Sequence, residues 1–421
     1  MGVFVHRSGD GSGAFTQTAM QLRWNYGSNG IADGQAVDIK VFAVEMVLVP
    51  GGSFQVGGET ATLVMGNFRN GSTNTPLTIS TENALTLGGT TNGNLANNNN
   101  TGMGSGMGTV DDFNDATTQT LPAAFPKGFN AFYCMKYEIS QGQYRDFLNV
   151  LAYTQQVNRT ATAPNLAAGT EALSNTFRNG LDIQTPGNAT TSVSAVYGSN
   201  LNGNGNYNES VDGENIACNF LSWMDGAAFA DWASLRPMTE LEFEKACRGT
   251  LTPVVDEFAW GTASITGATG ISNSGANNEV ASNAGANAVF FNNASVQGPL
   301  RVGSFATASS TREQAGASYY GIMELSGNLW ERTVSVGNAI GRNFTAPIHG
   351  NGLLTSDGFC DISTWPGFVT DKVSDATGAG FRGGLWMETY FDLRVSSRRF
   401  ASLFNSARNN RSGFRAVRSV P

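Results

Sequence analysis

Three long tracts of small, neutral polar residues interrupt this chain, and they limit what it can fold into. They lie at about 60–120, 186–215 and 262–298, and the first contains GGTTNGNLANNNNTGMGSGMG. Such tracts cannot bury enough apolar surface to offset their conformational entropy as separate domains. The core must come from short runs between them, so the tracts read as insertions into one domain covering 46–421. Loops of this length inside a compact domain are functional or mobile. The first tract also holds a hairpin-like pattern, LTISTENALTL. Hydrophobic residues make up 40% of the 421, which is enough for a real core.

The remaining runs have readable periods. Leu22, Trp24 and Tyr26 alternate, a Gly- and Asn-rich turn follows, and Val37, Ile39, Val41 and Ala43 alternate again. This pattern predicts a β-hairpin within an N-terminal segment, 1–45. The run MVLVPGGSFQVGG predicts a buried strand closed by a Pro-Gly-Gly turn. Ser140 caps a helix over Gln141–Leu151, with Tyr144, Phe147, Leu148 and Leu151 as its buried stripe. A second helix is expected over Trp223–Ala233. A third starts at Thr239, where T-E-L-E forms a capping box, and stops at Gly249. Strands and helices together give an α+β class with much irregular backbone.

Several function classes are excluded. The net charge is −8, and no basic block is long enough to track phosphates, so no nucleic-acid partner is expected. The stretch Arg382–Arg418 does interleave arginines with aromatics, but in an acidic chain. No apolar run is long enough to span a membrane. Residues 1–20 lack the apolar stretch of a signal peptide. The only histidines are His6 and His349, so a three-histidine metal centre is impossible. Cys134, Cys218, Cys247 and Cys360 form no Cys-x-x-Cys pair; buried free thiols and a single disulfide both remain open.

Seven segments, in order, resemble the formylglycine-generating-enzyme / sulfatase-modifying-factor family. They are MVLVPGGSFQVG, FYCMKYEISQGQYRDFLN, CNFLSWMDGAAFADWASLRPMTELEFEKACRG, FAWG, GIMELSGNLWERT, FRGG and GFRAVR. The resemblance implies the C-type-lectin-like fold. It does not extend to the family's chemistry. The family's oxidase binds copper through two cysteines shortly after the RGG motif, because soft thiolates hold copper(I). Here that stretch reads RGGLWMETYFDLRVSSR, without cysteine, and Glu388 stands about where the first thiol would be. The family's iron-binding synthases need three histidines. A non-catalytic member is therefore expected.

The segment ELSGNLWE matches a calcium-binding turn of the family. The resemblance implies ligands from the Glu324 side chain, the Gly327 and Leu329 carbonyls, and the Glu331 carboxylate, which are hard oxygens suited to structural calcium. The competing reading pairs Glu331 locally and leaves Trp330 in the core. A second family site would use Glu138 with the Asn283–Ala284 backbone.

The last forty residues carry the functional expectation. Between two family-like ends lie Trp386, Met387, Glu388, Thr389, Tyr390, Phe391, Arg399, Phe400, Leu403, Phe404, Asn409 and Asn410, with no single helical or strand period. Rigid rings among Arg and Asn suit a ligand-binding surface. The arrangement is similar to the variable proteins of diversity-generating retroelements, in which adenine-directed mutation of Asn codons yields Tyr, Phe, Leu, Ser and Asp. Met387 and Glu388 do not arise by that route. The expected function is a secreted or cell-surface receptor or adhesin. Its ligand would be a protein or glycan on another cell or particle, bound by 385–412 with the 186–215 and 262–298 loops as a rim. The competitors are a self-associating subunit of an exported surface assembly and, remotely, an oxidase.

Overall fold

The computed structural model describes residues 5, 16–58, 65–104, 110–291, 293–345 and 348–420. It divides into two units, Met1–Val44 and Glu45–Pro421. In the first, the expected hairpin is not formed. The described residues 16–44 contain one 3-10 turn, Tyr26–Asn29, and no strand. Ile39 and Val41 are 71% and 78% exposed, so the alternation there meets no facing layer. A strand pattern forms a strand only when both its ladder bonds and its apolar face find partners.

The second unit mixes helices and short strands, as the α+β reading implies. Its principal helices are α1 (Gln141–Leu148), α2 (Tyr153–Arg159), α3 (Trp223–Trp232) and α4 (Glu240–Arg248). Capping boxes start three of them. Ser140 and Gln143 cap α1, Ser222 and Asp225 cap α3, and Thr239 and Glu242 cap α4. Each box satisfies two backbone donors that a helix N-terminus would leave orphaned. The first helix ends a turn earlier than the sequence suggests, at Leu148, although Leu151 is still buried.

Four antiparallel strands form the central sheet in the order Met46–Val49, Phe132–Met135, Ala416–Ser419, Arg236–Pro237. Val49, Phe132, Cys134 and Val417 pack from it onto Phe243, Ala246 and Cys247 of α4. A separate ladder pairs Glu331–Val334 with Ala379–Arg382. Gly226 of α3 allows close approach of the C-terminal strand region, since a Cβ there would sit 1.9 Å from the Phe414 ring.

The first polar tract is more ordered than its composition suggests. Leu77–Ile79 and Leu85–Leu87 do not pair with each other. Leu77–Ile79 joins Phe54–Val56. Leu85–Leu87 joins a four-stranded sheet with Phe68–Asn70, Leu95–Asn97 and Gln119–Leu121. Single apolar residues (Phe68, Leu87, Leu95, Leu121) are fully buried along it. The stretch 105–109, inside the Gly- and Met-rich run, lies outside the described residues.

A buried charge network joins this tract to α4 and to the C-terminal segment. Glu240 and Glu244 lie one helical turn apart. Arg382 reaches Glu240 at 3.1 Å and Glu244 at 2.7 Å. Arg398 reaches the same Glu240 at 2.7 Å and Asp111 of the polar tract at 2.6 Å. Asp111 also accepts from Asn97 Nδ2 and Ser402 Oγ. Burial alone would raise the Glu244 carboxyl, but Arg382 and Arg248 outweigh it and hold the group below its usual range. Removing one partner from such a network leaves an uncompensated buried charge, which costs about 3–5 kcal/mol. Arg398→Met is therefore expected to destabilise the chain by about that amount, read as a lower denaturant midpoint. An unchanged midpoint would show that the network contributes nothing net.

Candidate functional site

The C-terminal segment does not present all its aromatics. It divides them between an anchoring set and an exposed set. Leu385 and Trp386 are fully buried, with the Trp386 ring 5.3 Å from Phe177 and its Nε1 donating to the Asn410 carbonyl at 3.0 Å. Trp386 is thus a core residue, and its place in the expected binding set is corrected. Met387, Phe400 and Leu403 are partly buried against the same cluster. Phe400 meets Trp330 edge-on at 5.6 Å.

The exposed set sits on a turn. Thr389 precedes a 3-10 turn, Tyr390–Leu393, in which Leu393 is buried with Phe258 and Trp260. Ser326 Oγ donates to the Leu393 carbonyl at 2.7 Å. Held from below in this way, the turn leaves Tyr390 38% exposed and Phe391 half-buried, their ring centroids 4.2 Å apart. The Arg394 guanidinium lies 4.9 Å from the Phe391 ring and 5.7 Å from that of Tyr390. Arg399 joins the turn through Asp392, at 3.1 Å. Burial pushes the Asp392 carboxyl up to about 6, with Arg399 opposing it.

One residue of this face was absent from the sequence expectation. Phe291 is 65% exposed, and its amide donates to the Glu388 carbonyl at 2.8 Å. The available signal was the Phe-Phe pair in an otherwise small and polar tract, 262–298. That tract therefore does border the C-terminal segment. Among the described residues, the hydrogen bonds of 186–215 run instead to Pro164, to 180–185, to Gly275, Asn277 and Val302, and to the α1–α2 region, as in Arg145 to Asn208 and Ser194 to Leu151. Asn409 spends its side chain on its own turn, accepting from the Arg411 amide and Ser412 Oγ. Asn410 contributes its carbonyl to Trp386. Phe404 is half-buried.

Tethers distribute along the rest of the segment. Arg408 makes two 2.8 Å bonds to Asp225 of α3. Arg332 donates to the Asn405 carbonyl at 2.8 Å, and Phe220 to that of Asn409 at 2.9 Å.

The GNLWE turn is both paired and short of positive charge. Trp330 is buried, and Arg415 reaches Glu331 Oε1 at 2.7 Å. Glu138 accepts from the Leu329 amide and from Asn328, so its carboxylate is tied to this turn. Gly327 has φ 95°, and a Cβ there would meet the Val289 carbonyl at 2.6 Å. Burial pushes the Glu324 carboxyl up to about 7 and raises those of Glu138 and Glu331, with Arg415 opposing in all three. Oε2 of Glu324 and Oε2 of Glu331 are buried without hydrogen-bond partners. Each is a hard oxygen of the kind calcium takes. Among the described residues no three His, Cys, Asp or Glu side chains converge to hold an ion. Backbone oxygens such as those of Gly327 and Leu329 would have to complete the shell.

The cysteines are all free and buried. Burial pushes the Cys134 thiol up to about 12 and raises those of Cys218, Cys247 and Cys360 as well. A thiol held neutral and shielded from solvent is a poor nucleophile and a poor metal ligand.

Two outcomes follow from these placements. Trp386→Ala is expected to cost about 3–5 kcal/mol of stability, while Tyr390→Ala leaves the unfolding midpoint within about 0.5 kcal/mol. Equal effects would contradict the division into anchoring and exposed rings. A bound calcium would add about 2.7 kcal/mol at a hundredfold excess over its dissociation constant. Calorimetry should show a raised Tm with calcium, and Glu324→Gln should abolish the increment. No response at millimolar calcium removes the cation.

Residues 38–420 match the family model of the sulfatase-modifying factor enzyme 1-like domain. No curated protein matches the chain in sequence. Among solved structures, PvdO from Pseudomonas aeruginosa is similar at 17% identity, over 89% of this chain and 94% of that one, with a TM-score of 0.38. Treponema denticola variable protein 1 is similar at 12% identity, over 90% of this chain and 99% of that one, with a TM-score of 0.39.

Proposed function

The chain belongs to the sulfatase-modifying factor enzyme 1-like domain family, and we propose that it is a non-catalytic member that binds a ligand through its C-terminal segment, as a secreted or surface-displayed receptor. One observation carries this reading. The segment is pinned by buried groups at 382, 386, 393, 398 and 414, yet it leaves Tyr390 exposed and Phe391 half-buried, next to the backbone bond that joins Glu388 to the exposed Phe291. Function placed on loops held by a rigid scaffold follows this plan. Ordered aromatics lose little entropy on binding and offer large contact area.

The buried, protonated thiols support the non-catalytic reading, as does Glu388 where the family's first redox thiol would stand. No helix among the described residues is long and apolar enough to cross a membrane. Partners are a protein or glycan on another cell or particle.

The test has two arms. Incubation with a cysteine-containing sulfatase peptide, with and without copper, is expected to yield no formylglycine; conversion would overturn the non-catalytic reading. Sequencing the codons for 375–421 across a natural population is expected to place replacements at exposed or half-buried positions such as Tyr390, Phe391 and Phe404. Trp386, Leu393, Arg398 and Phe414 should be spared. An invariant segment would remove variable recognition and leave a fixed contact.

A further inference from the structure

The exposed turn carries a charge that the rest of its surroundings do not balance. Two guanidiniums stand at this face, and each already has a carboxylate. Arg394 pairs with Asp256 at 2.9 Å, and Arg399 pairs with Asp392 at 3.1 Å. Glu388 is half-buried, and among the described residues its carboxylate has no hydrogen bond or ion pair. Its own carbonyl holds Phe291 in place at 2.8 Å, and Tyr390 follows two residues later. An unpaired carboxylate therefore stands in the same short segment as Tyr390 and Phe391, and its own backbone is joined to that of Phe291.

A second observation points the same way. Asp392 is fully buried, yet its Oδ1 has no hydrogen-bond partner, because Arg399 takes only Oδ2. Burial keeps that oxygen from any partner and raises the Asp392 carboxyl, and the Glu388 charge raises it further, so two carboxylates share this turn with one arginine, Arg399. The rings themselves already accept one cation. Arg394 lies over both Tyr390 and Phe391, which shows that their faces are placed for guanidinium or ammonium contact. That cation belongs to the chain and is neutralised by Asp256, so it does not answer Glu388.

We infer that this face recognises a protein partner through a lysine or arginine side chain flanked by apolar residues. The cationic head meets Glu388, and the apolar neighbours pack on Phe291, Tyr390 and Phe391. The inference rests on the reading of the C-terminal segment as a binding surface and adds the chemistry of its partner. Anionic partners, such as phosphorylated or sialylated ones, are opposed by Glu388, since neither nearby arginine is free to pair with them. Charge complementarity of this kind sets specificity and steers association more than it adds raw affinity.

The test is selection of a random linear peptide library displayed on phage against three immobilised full-length proteins: the wild-type chain, Glu388→Gln and Tyr390→Ala. Thermal unfolding first establishes that all three are folded. Peptides recovered on the wild type are expected to be enriched in Lys or Arg next to aromatic or aliphatic residues. On Glu388→Gln the Lys and Arg enrichment should fall to the library background while the apolar enrichment persists. A synthetic peptide from the selection should bind Glu388→Gln about tenfold more weakly or worse, and the loss should shrink at high salt. Peptides recovered through Tyr390 but without Lys or Arg, or with Asp or Glu, would overturn the inference and leave the binding surface standing. Recovery that is absent, or indifferent to Tyr390→Ala, would overturn both.

Discussion

Glu240 and Glu244, one turn apart on α4, are the groups on which the rest of the structure depends. They bind Arg382 at the start of the C-terminal segment and Arg398 near its middle. Arg398 also reaches back to Asp111 in the first polar tract, and Arg248 ties Glu244 to Glu257. Bringing so many charges out of water is expensive. It is tolerated because nearly every lone pair and N–H meets a partner, and the geometry is then hard to alter without leaving a bare charge. The network thus favours one arrangement over its alternatives more than it adds stability. Three regions far apart in sequence are brought to one place by it.

The turn between the two arginines inherits its position from that arrangement. Residues 387–391 have no core of their own and no strand ladder. They are displayed because 382 and 398 are clamped, and because Trp386 and Leu393 are sunk on either side. A ring in this segment can therefore have one of two roles. Trp386 stacks against Phe177 and closes the core, whereas Tyr390 and Phe391 stack on each other and face outward. The GNLWE turn beneath works in the same manner, with Arg415 holding Glu331 while Glu138 fixes the Leu329 amide.

Much of the framework was legible in the chain. The cap at Ser140 and the capping box at Thr239 are local, because a hydroxyl and a carboxylate or amide three residues apart need only their own turn of helix to meet; the box at Ser222 has the same form but went unread. The stretch at 20–43 misled for the opposite reason: alternation records what a strand would bury, and residues 16–44 contain no strand to bury it. The first polar tract misled in the other direction. Its few apolar residues are spaced too widely to register as a pattern, yet Asp111 is satisfied from elsewhere in the chain, by Arg398 and Ser402. Phe291 escaped notice because it lies some ninety residues from the segment it joins.

The sequence by itself determined the family, three of the four principal helices and the lack of redox ligands after the RGG motif. These depend on residue identity and on short spacing, which no packing can change. Only the tertiary structure decided which rings of the C-terminal segment are core and which are surface. It alone left Glu388 without a counter-ion and Glu324 and Glu331 each with a bare buried oxygen. Burial and charge balance belong to what surrounds a side chain, and here the surroundings arrive from residues more than three hundred positions away.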